Sequence, residues 1–133
     1  MTTAIAWSID VLEGWEAEEH GDVAVFVRPE GVGVLQVVSY EQDEDITAED
    51  LEDLAQEHIA NNEESINIEI GDFSGTLYTL REEDEYWQFW YLAADRLAVV
   101  FTYSCAEEDR NVEIDEVREM VGSLILEFID EEE

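Results

Sequence analysis

The residues best suited to chemistry are few and far apart. His20, His58 and Cys105 are the only imidazoles and the only thiol in 133 residues. A zinc centre would need three distant segments to converge, and no close pair of the C-x2-C kind supports one. The spacing instead assigns His20 to a hairpin turn in EEHGD, His58 to the apolar stripe of a helix, and Cys105 to a strand end. Acids at 107–109 follow Cys105, and nearby negative charge raises a thiol pKa and makes it a poorer nucleophile. Ser74 stands in DFSGT rather than G-x-S-x-G, and no strand–turn–helix elbow follows it. Gly31-Val32-Gly33 has Gln36 where a dinucleotide loop needs its third glycine. It also precedes a strand rather than a helix, which argues against a phosphate cradle.

Carboxylates are too abundant to single out a pair. A glycosidase needs two acids about 5–9.5 Å apart in a cleft, and among 37 acids some pairs meet that distance by chance. Asp43-Glu44-Asp45 with Glu49 and Asp50 resembles a cation loop only in charge. Its sixth position is Ala48 rather than Gly and its twelfth is Leu54 rather than Glu. We therefore expect no catalytic residue, no cofactor and no metal site, and read the chain as a non-enzyme.

The strongest remaining feature is the run YWQFWYLAADRLAVVFTYSC at 86–105. Side chains alternate across a strand, so Tyr86, Gln88, Trp90 and Leu92 face one way while Trp87, Phe89, Tyr91 and Ala93 face the other. In the next strand Leu97, Val99, Phe101 and Tyr103 share a face, and Ala98, Val100 and Thr102 share the opposite one. Apolar residues on both faces predict a central hairpin covered on both sides. Tyr and Trp also suit binding surfaces, because a large apolar ring carries a polar tip. The candidate protein-binding patch is therefore Tyr86, Trp87 and Tyr91, beside the acidic turn Glu82, Glu83, Asp84 and Glu85.

The surrounding pattern supplies the frame. Short strands are predicted over 4–9, 15–18, 23–28 and 33–40, with a turn at Arg28-Pro29-Glu30-Gly31. Thr47 with Asp50 three positions later reads as a helix N-cap, and Ala48, Leu51, Leu54, Ala55, His58 and Ile59 continue at helical spacing to Asn61-Asn62. Strands follow over 65–70, 73–81, 86–93 and 97–105, with turns at Gly71-Asp72, at 82–85 and at Ala94-Asp95-Arg96. Ile114, Val117, Val121, Leu124 and Phe128 step by three and four, which predicts a closing helix over 113–127. Gly122 inside that helix points to a close packing contact. Residues 130–133, DEEE, read as a frayed acidic tail after one domain over 1–129. Antiparallel strands with segregated helices make the fold class α+β: an antiparallel β-sheet flanked by helices, one on each face.

Composition sets outer bounds. Apolar residues are 46% of the chain, enough for a packed core. Against 37 acids stand five arginines and no lysine, for a formal net charge of -32. Such a chain repels nucleic acid and anionic membranes, so direct binding to a phosphate backbone is not expected, and a basic protein is the natural partner. A lone cysteine forms no internal disulfide. The first 20 residues lack the basic start and apolar run of a secretory signal, and no window resembles a membrane span. A cytoplasmic location follows as the expectation.

A Trp-containing N-terminal segment, GVGVLQVVSY, a helix opened by ITAEDL, the meander GTLYTL…YWQFWYLA…LAVVFTYSC and a final amphipathic segment ending in VGSLIL resemble the PsbP-like α/β/α sandwich. The resemblance spans nearly the whole chain and rests on element order and hydrophobic spacing. It implies a fold that hosts mostly binding roles, with no site residue carried over. Three functional expectations follow. The first is a non-enzymatic acidic module, immunity-like or chaperone-like toward a basic partner. The second is a domain of other role whose acidity suits a salt-rich cytoplasm, as the absence of lysine suggests. The third is a small cationic-ligand binding protein with its pocket between sheet and helix.

Overall fold

The computed structural model describes residues 2–21, 23–29, 31–56 and 64–131. Its strands are β1 (Thr2–Ser8), β2 (Glu16–His20), β3 (Val23–Val27), β4 (Gly33–Glu41), β5 (Glu64–Ile70), β6 (Phe73–Glu82), β7 (Glu85–Ala94), β8 (Leu97–Ala106) and β9 (Ile125–Glu131). Helix α1 is Ala48–Gln56, helix α2 is Ile114–Gly122, and a 3-10 turn covers Glu107–Asp109. His58, Ile59 and Asn61-Asn62 lie outside the described residues.

Seven strands form one antiparallel sheet in the order β2-β3-β4-β8-β7-β6-β5. Two-residue turns close four of its hairpins, pairing His20 with Val23, Ile70 with Phe73, Glu82 with Glu85, and Ala94 with Leu97. The first turn residue has positive φ in each: Gly21, Gly71, Glu83 and Asp95. Such turns match the native twist of the strands they join. His20 thus ends a strand, and the turn proper begins at Gly21. The one long connection leaves β4, passes through α1 and re-enters at β5 on the far edge. The meander β5–β8 then returns to pair β8 with β4. The aromatic hairpin β7–β8 consequently lies well inside the sheet, as its two-faced apolar pattern predicts.

Each face carries one helix. On the α2 face, Leu35, Val37, Trp90, Leu92, Val99, Phe101 and Tyr103 pack with Ile114, Val117, Met120 and Val121. Each such side chain contributes about 1.5–3 kcal/mol on burial. The separate antiparallel ribbon β1–β9 adds to this cover, and Trp7 meets Phe101 edge-on at 6.2 Å. On the α1 face, Leu51 and Ala55 pack with Phe89, Tyr91, Ala93 and Ala98. Helix α1 opens as its sequence predicts. Asp50 N donates to Thr47 Oγ1 at 3.1 Å, and Thr47 N donates to Asp50 Oδ2 at 3.0 Å. Two backbone bonds, Gln42 N to Arg96 O and Ile46 N to Asp95 O, pin the preceding loop to the β7–β8 turn.

The C-terminal segment corrects the sequence reading. The helix expected over 113–127 ends at Gly122, and residues 125–131 form β9. Ser123 stops it: its hydroxyl donates to Met120 O at 2.6 Å and accepts from Asp10 N at 2.8 Å. The strand then exists because β1 offers a full ladder, from Ser8 opposite Ile125 to Thr2 opposite Glu131. Leu124 is buried as expected, but Phe128 belongs to a strand, and Asp130 and Glu131 extend it rather than fraying. Nothing lies within 4 Å of a Cβ placed on Gly122, so the close contact expected there is absent. The coarse class stands: one α+β domain built on an antiparallel sheet with two helices.

Candidate functional site

The two helices cover their faces unequally. Helix α1 is nine residues long and lies over β7 and its neighbours, while the same face continues across β8 and β4. Beside the helix a groove of about 450 Å³ remains, lined by Val38, Tyr40, Leu80, Trp87, Phe89 and Val100. The sheet register puts these residues side by side. Val38 is opposite Val100, Leu80 is opposite Trp87, and Phe89 is opposite Thr102. Tyr40 is 47% exposed at one end.

Of the predicted aromatic patch, one residue stands here as expected. Trp87 is half-buried and stacks on Phe89 at 5.8 Å and 6°. Its indole Nε1 donates to Glu85 Oε2 at 2.9 Å, which ties the ring to the acidic turn. Tyr86 is corrected, and Tyr91 lies at the floor of the groove rather than at its surface. Tyr86 is 5% exposed because it points to the α2 face, with the Arg81 guanidinium 5.6 Å above its ring. Tyr91 is 2% exposed because it sits under α1, edge-on to Tyr78 at 5.7 Å.

The acids divide in the same way. Glu82, Glu83, Asp84 and Glu85 are all exposed. Glu82 lines the groove and Glu85 holds Trp87, so both rim it. Glu83, in the left-handed region, and Asp84 form the turn tip. At the other end Glu41 follows Tyr40, with Arg96 Nη1 at 3.6 Å from its carboxylate. Sequence reasoning missed Val38, Tyr40 and Leu80. The signal was present in the alternation Val34, Gln36, Val38, Tyr40, whose face has no second helix to cover it among the described residues. The arrangement offers stacking, apolar contact and negative charge.

The opposite face holds the titratable groups most affected by burial. Glu113, 1% exposed, accepts from Gly33 N at 2.8 Å and from Tyr103 Oη at 2.9 Å through Oε1. A Cβ on Gly33 would collide with the Ser104 carbonyl and the Tyr103 ring, so the close approach requires glycine. Gly31-Val32-Gly33 therefore serves the core carboxylate rather than a phosphate. Burial pushes the Tyr103 hydroxyl far above its ordinary range, and the Glu113 carboxylate adds to the shift. Burial also raises the Cys105 thiol, opposed by a hydrogen bond from Tyr103 and reinforced by Asp109, Glu113 and Glu107. That direction agrees with the unreactive thiol expected from the acids at 107–109. Next to this group Glu116 Oε2 accepts from Trp15 Nε1 at 2.8 Å and Arg28 Nη1 at 3.1 Å. These contacts anchor α2 to the strands.

His20 is exposed and lies 3.2 Å from Glu18. Among the described residues, no group of three or more His, Cys, Asp or Glu is placed to hold a metal ion. No helix among them is long and apolar enough to cross a membrane.

No family model matches the chain, and no curated protein matches it. Among solved structures, it is similar to a crystal structure of a protein from Bacteroides thetaiotaomicron VPI-5482, with a TM-score of 0.66 and 13% sequence identity. The match covers 91% of this chain and 45% of that one, so this chain spans less than half the length of that protein. At this identity the likeness concerns the fold alone.

Proposed function

We propose that the protein is a non-enzymatic acidic binding module of PsbP-like architecture that takes a basic protein segment carrying an apolar anchor. The observation that carries this reading is the half-open α1 face. Trp87, Tyr40 and Val38 border an apolar groove, and Glu82 and Glu85 rim it. Aromatic and aliphatic side chains of a partner fill such a groove, while arginine or lysine beside the anchor meets the carboxylate rim. The net charge of -32 steers a basic partner toward the molecule and repels nucleic acid. An immunity-like or chaperone-like role in a cytoplasmic setting fits this chemistry.

The test is capture from nuclease-treated native lysate at low salt, comparing wild type with a Trp87→Ala, Tyr40→Ala double variant. One basic protein retained by the wild type and lost by the variant is the expected result. Equal retention by both, or no basic protein retained by either, removes the reading.

A second reading has its own support. Exposed acids are spread over the molecule, with Glu16, Glu18 and Glu19 on β2, Asp43–Asp45 in a loop, Glu49 and Asp53 on α1, and Asp115 and Glu119 on α2. A dispersed charge of this kind suits a salt-rich environment. Thermal melts from low to molar KCl separate the two. Marked stabilisation continuing toward 1 M, where the Debye length is already about 3 Å, supports salt adaptation; full stability at low salt removes it.

A further inference from the structure

Helix α1 divides its sheet face into two depressions, and the one on the β5 side differs in chemistry from the apolar groove. It is a cleft of about 870 Å³ between the helix and strands β5–β7, within the size range of small-molecule sites. Its floor is built from two cross-strand rows, Asn67–Thr76–Tyr91 and Glu69–Ser74–Ala93. The period-two pattern of ESINIEI explains this polarity. Ile68 and Ile70 pack toward the α2-side core, which leaves Ser65, Asn67 and Glu69 for the cleft. Gly75 brings β6 and β7 together below the floor, where a Cβ would collide with the Tyr91 carbonyl.

We infer that this cleft is a binding site for a small hydroxylated organic cation, of the amino-sugar or amino-alcohol class. Charge selects the cation. Glu52 of α1 and Glu69 of β5 both line the cleft, from its wall and its floor. No complementary anion site exists at the α1 N-terminus, because Thr47 already occupies the Asp50 amide and the carboxylates of Glu49 and Asp50 stand there. The hydroxyl and amide groups of Ser74, Thr76 and Asn67 select a ligand with several hydrogen-bonding groups over an apolar one. Tyr78 lines the same cleft and presents a ring to an ammonium group. The two depressions share Tyr91 at their floor, but neither Trp87 nor Tyr40 lines the cleft, so the Trp87 and Tyr40 substitutions test the protein-binding reading apart from this one.

The test is titration of the isotope-labelled protein with glucosamine, followed by NMR, with glucose and methylamine as comparison probes. The measurement is made in 1 M KCl, where the Debye length is about 3 Å and loose cation condensation is screened. The expected result is saturable shifts confined to Asn67, Ser74, Thr76 and their neighbours, with glucosamine bound more tightly than either probe. Glu69→Gln should weaken glucosamine binding about three- to tenfold, as loss of one partly exposed charge contact predicts. Thr76→Val, which keeps side-chain shape, should weaken it severalfold, and Glu119→Gln on the far face should leave it unchanged. Shifts spread over the acidic surface, failure to saturate, glucose binding as well as glucosamine, or equal affinity in Glu69→Gln and Glu119→Gln would each overturn the assignment. Retained peak dispersion in each variant shows that the fold survives.

Discussion

The two faces of the sheet use the same alternating strands to opposite ends. The α2 face is closed by a helix and a two-stranded ribbon, and at its centre Leu92, Val99, Phe101 and Tyr103 have no exposed surface. Among the described residues the α1 face has one helix, Ala48–Gln56, and Trp87 and Val38 are half-buried while Tyr40 is exposed. The difference is one of cover rather than of strand composition, since both faces carry aromatic and β-branched residues. It follows that stability should depend chiefly on one face and recognition on the other.

Substitutions test that division directly. Phe101→Ala, at the centre of the closed face, should cost about 3–5 kcal/mol in denaturant unfolding, from lost burial and the cavity left behind. A cost no larger than that of Trp87→Ala would break the comparison. Glu113→Ala leaves the Gly33 amide and the Tyr103 hydroxyl without their shared acceptor. It should cost about 1–3 kcal/mol per group left unpaired, whereas Glu113→Gln retains an acceptor oxygen and should cost less. Equal losses in the two variants would show that the carboxylate charge, not its hydrogen bonding, stabilises α2. On the open face, Trp87→Ala should cost about 1 kcal/mol, mostly its stack on Phe89, while abolishing partner capture.

The smallest effect belongs to the cap of α1. Thr47→Ala should cost about 1 kcal/mol, read from the unfolding midpoint. Its pH dependence has a definite sign. Hydrogen bonds from the Thr47 backbone and hydroxyl hold the Asp50 carboxyl below its usual range. The folded pKa is depressed, so the contribution is complete above the unfolded value near 4 and is lost as pH falls through the folded value. The Thr47 amide that bonds the carboxylate survives in Thr47→Ala, so the pH dependence is read against Asp50→Asn, over which the wild type should lose its advantage below about pH 4. An unchanged difference down to pH 2 would show that the cap acts without the carboxylate.

Much of the frame was legible because it depends on local chemistry. Alternation in YWQFWYLA assigned Trp90 and Leu92 to one face and Phe89 and Tyr91 to the other, and the register agrees. The Thr47–Asp50 cap was visible as a spacing of three. The candidate site was half legible. Trp87, Glu82 and Glu85 lie at the groove, whereas Tyr86 is buried on the α2 face and Tyr91 lies beneath α1, at the floor of both depressions. Exposure depends on where α1 lies over the sheet, and no residue in the aromatic run encodes that placement. Tyr40 was missed for the same reason: among the described residues α1 does not cover it, and it is 47% exposed.

The segment 113–131 shows the limit most clearly. Ile114, Val117 and Val121 at helical spacing determined α2 on their own, because periodicity decides which residues share a helix face. Leu124 continued that spacing equally well, yet the chain leaves the helix at Ser123 and enters a strand. The sequence by itself determined the strands other than β9, the tight turns, the start of each helix and an overwhelmingly negative surface, all of which follow from neighbours a few residues apart. Only the tertiary structure decided the pairing of β9 with β1, the burial of Glu113 and the uneven cover of the two faces. Each of these depends on a partner brought from a distant part of the chain, whose hydrogen bonds and apolar surface outweigh the local preference.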